Sequence, residues 1–191
     1  MSVRAISVIA IGASAGAVPA LLDILPALPA AYRLPVLVVV HVPPDRENAL
    51  VALFAAKSQI AIKEAEDKEA VAPGVVYFAP SDYHLLVETD GTLSLSADSQ
   101  INHSRPAIDV LFETAADAYG AGLCAVVLTG ANDDGAAGLA AVCAAGGAAV
   151  VEDPADAYSP VMPAAAIAAC PSAQVLSLAQ IRAHLLTLGT P

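Results

Sequence analysis

Five short apolar runs punctuate the chain: Ile6–Ile11, Val36–Val40, Val75–Phe78, Leu123–Leu128 and Ala148–Val151. They are rich in β-branched residues and show continuous rather than alternating apolarity, the pattern of strands buried on both faces. Segments of helical spacing lie between and after them: Val18–Leu28, Glu47–Lys57, Ala107–Tyr119, Ala136–Ala145, Met162–Ala169 and Leu178–Leu188. This βα rhythm predicts an α/β fold, a three-layer, doubly wound, mostly parallel sheet with helices on both faces. One segment breaks the rhythm. His84–Leu95 holds two partly alternating runs around Thr89-Asp90-Gly91 and reads as a β-hairpin insertion. The last helix has the best-marked start, because Ser177 followed by Gln180 fits a capping box.

Composition narrows the functional classes. With 191 residues, a single domain spanning 1–191 is the expectation. Nineteen acidic residues against eight Lys plus Arg give a net charge of -11, which repels nucleic acid and anionic membrane surfaces alike. The apolar stretch Ile6–Ile11 is too short for a signal-peptide core and runs straight into a Gly-rich turn, so direct membrane insertion is not expected. Cys124, Cys143 and Cys170 are odd in number, far apart and embedded in apolar runs. They are expected to be reduced core thiols in a cytoplasmic protein, with no metal site and no cofactor.

Candidate chemistry begins where the first strand ends, in Gly12-Ala13-Ser14-Ala15-Gly16. A hydroxyl in a turn entering a helix faces the unpaired N–H groups of the first helical turn, which can stabilise an oxyanion. Two other readings fit the turn. A dinucleotide-binding loop would need Gly where Ser14 stands, a late Gly where Ala17 stands, and an acidic residue rather than His41 at the end of strand two. An ordinary N-cap serine would need nothing more. Two further residues separate the readings. His41 follows Val36–Val40, and Asp134 follows Leu123–Leu128 in Thr129-Gly130-Ala131-Asn132-Asp133-Asp134-Gly135. Parallel strands place their carboxyl ends on one edge, so Ser, His and Asp share it. There His41 can take the Ser14 proton while Asp134 orients the imidazole. The chain order Ser, His, Asp differs from that of α/β-hydrolases, although Gly12-x-Ser14-x-Gly16 matches their nucleophile elbow.

Taken in order, the motifs resemble the catalytic domain of CheB-type chemotaxis protein-glutamate methylesterases over roughly Ile6 to Leu185. They are IAIGASAG from Ile9, VHVPP from Val40, PGVVYFAP from Pro73 with HLL from His84, RPAIDVLF from Arg105, Leu128-Thr129-Gly130 with DGAAG from Asp134, and Met162-Pro163. The resemblance implies a serine hydrolase with Ser14, His41 and Asp134 as catalytic residues, Asp134 being selected over Asp133 by the DGAAG match. It implies an oxyanion hole from the main-chain N–H groups of Ala15 and Ala131, and substrate contacts from Arg105 and Met162. The expected partners are the methylated cytoplasmic helices of chemoreceptors, with hydrolysis of γ-glutamyl methyl esters and deamidation of glutamines. A non-catalytic signalling domain and an esterase or amidase for another substrate are the competing readings. Departures from the family pattern fall around the cleft: Ala15 and Ala17 for Thr and Gly, Ala131-Asn132 for Met-Gly, Ser104 for His, and Val161 for Gly. The receiver domain that commonly precedes the family's catalytic domain is not expected in this chain. His84, His103 and His184 are expected to be structural or surface residues.

Overall fold

The computed structural model describes residues 5–41 and 49–190. Seven strands form one parallel sheet: β1 (Val8–Ala13), β2 (Val36–Val40), β3 (Ala61–Glu64), β4 (Val75–Phe78), β7 (Leu123–Val127), β8 (Ala148–Glu152) and β9 (Gln174–Leu176). Their order across the sheet is β3-β4-β2-β1-β7-β8-β9. The central strands are the most apolar, and every residue of β1, β2 and β7 is buried. β1 pairs with β2 on one side and β7 on the other, so its register fixes both neighbours. β5 (His84–Val87) and β6 (Leu93–Ser96) form the separate antiparallel hairpin. Its turn closes through Glu88 N–H to Thr92 O and Gly91 N–H to Glu88 O.

Among the described residues, six α-helices cover the sheet. Alternation along β1 divides the core into two layers: Ile9 and Ile11 face one side, Val8 and Ala10 the other. The first side packs against α1 (Ala17–Ile24), Phe54 of α2 (Ala49–Lys57), and Ile181 and Leu185 of α6 (Leu178–Gly189). The second takes Ile108, Leu111 and Phe112 of α3 (Ile108–Tyr119), Leu139 and Val142 of α4 (Ala136–Ala144), Met162 and Ala166 of α5 (Val161–Ala169), and the hairpin's Leu85, Val87 and Leu93. The expected three-layer arrangement with a hairpin is present. So is the capping box: Gln180 N–H donates to Ser177 Oγ, and Ser177 N–H donates to Gln180 Oε1.

Several expectations differ from the structure, and one lies outside the described residues. Strand one runs Val8–Ala13 rather than Ile6–Ile11, because pairing with β2 carries it through Gly12 and Ala13. The short edge strands β3 and β9 were not anticipated, since neither has a buried apolar run. The start expected for the second helix at Glu47 lies outside the described residues. Cys143 and Cys170, expected as free thiols, are joined by a disulfide. α4 and α5 lie side by side and bring the two Cα atoms within 6.6 Å, a distance a disulfide bridges readily. Cys124 remains a free, buried thiol whose pKa burial pushes up to about 12.

Candidate active site

The topology delivers three loops to one edge of the sheet. β1, β2 and β7 are adjacent and parallel; Ser14 and His41 directly follow β1 and β2, and Asp134 lies in the loop that leads from the carboxyl end of β7 to α4. This edge contains the switch point, where the chain first builds outward from β1 through β2 and later returns to add β7 on the opposite side.

Each side chain is held by its own backbone. Ser14 N–H donates to Thr129 O at 2.9 Å, and Ser14 O accepts from Ala17 N–H at 2.9 Å. Gly16 then starts α1 at φ 85°, a left-handed conformation that glycine adopts without cost, and a side chain there would collide with Tyr158. His41 N–H donates to Ala13 O at 3.2 Å, extending the β1–β2 ladder by one residue. Asp134 lies immediately before Gly135, the N-cap of α4.

The result is a continuous relay. His41 Nδ1 lies 3.1 Å from Ser14 Oγ, and His41 Nε2 lies 2.7 Å from Asp134 Oδ2. The imidazole is 13% exposed and the Asp134 side chain fully buried. A carboxylate only accepts, so Nε2 carries the ring proton and Nδ1 presents its lone pair to the serine hydroxyl. Asp134 also accepts from Ile108 N–H (2.7 Å), Asp109 N–H (3.1 Å) and Asn102 Nδ2 (3.0 Å). Burial alone would raise its pKa; these hydrogen bonds, led by that from His41, outweigh burial and hold the carboxyl below its ordinary value. The neighbouring Asp133 is exposed.

The remaining candidates are placed less centrally. Ala15 follows the serine, and Ala131 lies on the facing loop. Arg105 is spent within the chain: its Nε and Nη2 donate to Asp82 Oδ1, and Nη1 to the carbonyls of Ala97 and Asp98. Met162 is buried, with its side chain against Gly130 and its N–H donating to Gly130 O. His84 is buried and structural, accepting Ala107 N–H at Nδ1 and bonding Ser99 O through Nε2.

Four residues that build the site went unrecognised. Asn102 donates to Asp134 and Asp109 together. Asp109 accepts the N–H groups of Gly135 and Gly138 at the start of α4. Thr129 ties the serine turn to the loop after β7, and Glu152 holds Thr129. Asp109 and Thr129 stood inside recognised motifs, which was the available signal; Asn102 and Glu152 had none.

Comparison with known proteins bears on this geometry. The model of the CheB methylesterase family matches residues 9–185. The chain belongs to the CheB methylesterase family. A crystal structure of the Thermotoga maritima CheB methylesterase catalytic domain superposes with a TM-score of 0.91 at 34% identity, covering 97% of this chain and 100% of that one. The Thermotoga maritima protein-glutamate methylesterase/protein-glutamine glutaminase is 39% identical over 149 residues, 76% of this chain and 43% of the relative. A Leptospira interrogans protein, which carries the same two activities provisionally in its name, is 46% identical over 173 residues, 91% of this chain and 90% of its own length. No described helix of this CheB-family chain is long and apolar enough to cross a membrane.

Proposed function

We propose that this chain is a protein-glutamate methylesterase that removes methyl groups from γ-glutamyl esters on the cytoplasmic helices of chemoreceptors, and deamidates receptor glutamines, in bacterial chemotaxis. The observation that carries the reading is the His41 imidazole bonded at once to Ser14 Oγ and to the buried Asp134 carboxylate. Family membership supplies the substrate class.

Ser14 Oγ attacks the ester carbonyl while His41 Nδ1 takes its proton. Asp134 stabilises the imidazolium, and its four donors keep it ionised for that role. The tetrahedral oxyanion is held by the Ala15 and Ala131 N–H groups, and neither has a protein acceptor among the described residues. His41 returns the proton to the leaving methanol, or to ammonia when the substrate is glutamine. Water activated by His41 then frees Ser14. The small Ala15 and Ala131 leave main-chain donation intact. We read Met162 as the wall behind Gly130 and Arg105 as the brace of the loop before α3, each shaping the cleft. Receptor helices on the cytoplasmic side place the enzyme in the cytoplasm.

The test is methanol release from methylated receptor by wild type and by Ser14→Ala. The variant should lose roughly 10⁶-fold in turnover while its melting temperature holds. Wild-type turnover by the variant, or no release by the wild type, would overturn the reading.

A further inference from the structure

Thr129 makes more contacts to the serine turn than its place as a strand-end residue requires. Its carbonyl accepts Ser14 N–H at 2.9 Å, and its hydroxyl donates to Ala15 O at 2.8 Å. These bonds grip the peptide groups on either side of the Ser14–Ala15 peptide. The unit between them carries the Ala15 N–H, and its own carbonyl is held by Ala17 N–H. All three successive peptide planes are therefore fixed.

Thr129 is itself fixed from the other side. Its N–H donates to Glu152 Oε2 at 2.7 Å, and Ser159 N–H donates to its hydroxyl at 2.8 Å. Glu152 is only 1% exposed, at the carboxyl end of β8. Two residues beyond Thr129 stands Ala131, bearing the second proposed oxyanion donor. Gly130 between them is pinned at both ends, N–H to Ser159 O and O from Met162 N–H.

We infer that Thr129, braced by Glu152, is a positioning residue that sets the orientation and spacing of the Ala15 and Ala131 N–H groups before substrate arrives. The inference rests on the serine-hydrolase reading of the site. An oxyanion hole works because its donors are already aimed when charge develops, and losing one donor costs about 10²- to 10³-fold in kcat. Loss of the Thr129 hydroxyl loosens a donor without deleting it. The expected effect is therefore smaller, roughly 10- to 100-fold in kcat, with KM within about twofold because the ground-state carbonyl makes little use of the hole.

The experiment uses a fluorophosphonate, which reports Ser14 reactivity without needing the receptor, alongside steady-state ester hydrolysis. Thr129→Val keeps shape and burial but removes the hydroxyl. It should slow labelling and kcat by the stated factor, leave the acidic limb of the pH–rate profile in place because the His41–Asp134 pair is untouched, and retain a cooperative melt. Thr129→Ser restores the hydroxyl and should recover both rates to within about threefold. If Thr129→Val does not fold, Thr129→Ala against Thr129→Ser makes the same comparison. Failure of the wild type to label would overturn the serine reading and this inference with it. Equal labelling of wild type and Thr129→Val would overturn the inference alone, as would a Thr129→Ser variant no faster than Thr129→Val.

Discussion

Replacing Asp134 by Asn tests the site most sharply, because the amide cannot satisfy its surroundings in either orientation. Oδ2 faces His41 Nε2 and Ile108 N–H; Oδ1 faces Asn102 Nδ2 and Asp109 N–H. All four partners are donors, so an NH₂ group at either position confronts two of them. Turned toward His41, it forces Nε2 to accept, which moves the ring proton to Nδ1 and leaves nothing to take the Ser14 proton. Turned toward Asn102, it preserves the tautomer but leaves Asp109 N–H buried without an acceptor, at a cost of about 1–3 kcal/mol. The first orientation loses only Ile108 N–H, since imidazole can switch tautomer, and so it competes well. Even a correct tautomer lacks the negative charge that stabilises imidazolium. At about 4 Å and an effective dielectric near 20 that interaction is worth about 4 kcal/mol, roughly 10³ in rate. Together these predict a fall in kcat of roughly 10³- to 10⁴-fold with KM little changed. The same carboxylate caps α3, so the melting temperature should fall as well. The assay is ester hydrolysis at saturating substrate, well below the variant's own melting point. Asp133→Asn is the control and should stay within about twofold of wild type. A kcat for Asp134→Asn within tenfold of wild type, or a harmful Asp133→Asn, would refute the assignment.

Two further outcomes follow from groups away from the nucleophile. Thiol titration of the denatured, unreduced protein should find one reactive cysteine, Cys124, and reducing the Cys143–Cys170 link should destabilise the fold by about 3.5 kcal/mol, the loop-closure value for a sequence separation of 27; three reactive thiols would contradict the pairing. Burial, reinforced by the charge of Asp156, raises the Glu152 pKa against the bond from Thr129. The folded protein therefore holds this proton more tightly than the unfolded chain, and stability falls as pH rises from the unfolded carboxyl value, about 4.3, through the raised folded value. Glu152→Gln removes that penalty, so its melting temperature relative to wild type should climb as pH rises above the unfolded carboxyl value; a difference that stays flat as pH rises would refute the linkage.

The central sheet was legible because β2 and β4 are continuous apolar runs, and both occupy the residues expected of them. β3 and β9 lie at the two edges, where one side is unpaired and burial partial, so Ala61–Glu64 and Gln174–Leu176 carry no run that separates them from loop. The site divides in the same way. Ser14, His41 and Asp134 could be grouped from the sequence because each lies in the loop that follows a readable strand, and parallel geometry brings those loops to one edge. Thr129 and Asn102 act through hydrogen bonds to residues distant in sequence, among them bonds spanning 114 and 32 residues, and such bonds leave no periodicity in the chain. The cysteine pair escaped for a related reason: their meeting depends on α4 and α5 packing side by side, which spacing along the chain does not express.

Why the acid of the relay is buried so deeply follows from the helices it joins. Asp134 precedes α4 yet caps α3, through Ile108 and Asp109 N–H; Asp109 lies in the first turn of α3 yet caps α4, through Gly135 and Gly138 N–H. The two helices exchange carboxylates, each anion sitting at the positive end of the other's dipole. Close approach makes the exchange feasible, and a side chain at Gly138 would come within 2.7 Å of Phe112 Cβ. Asn102 spans both acids with one NH₂ group. Two adjacent carboxylates with so little solvent cannot be equally acidic, and their environments separate them. Burial raises Asp109, with the charge of Asp134 adding to it, and the hydrogen bonds from Gly138, Asn102 and Gly135 do not offset the rise. Asp134 has the additional bond from His41 and is lowered. As pH falls, the first proton to enter this pair therefore settles on Asp109, away from the imidazole. His41 therefore goes on facing an anion while Asp109 takes up its proton.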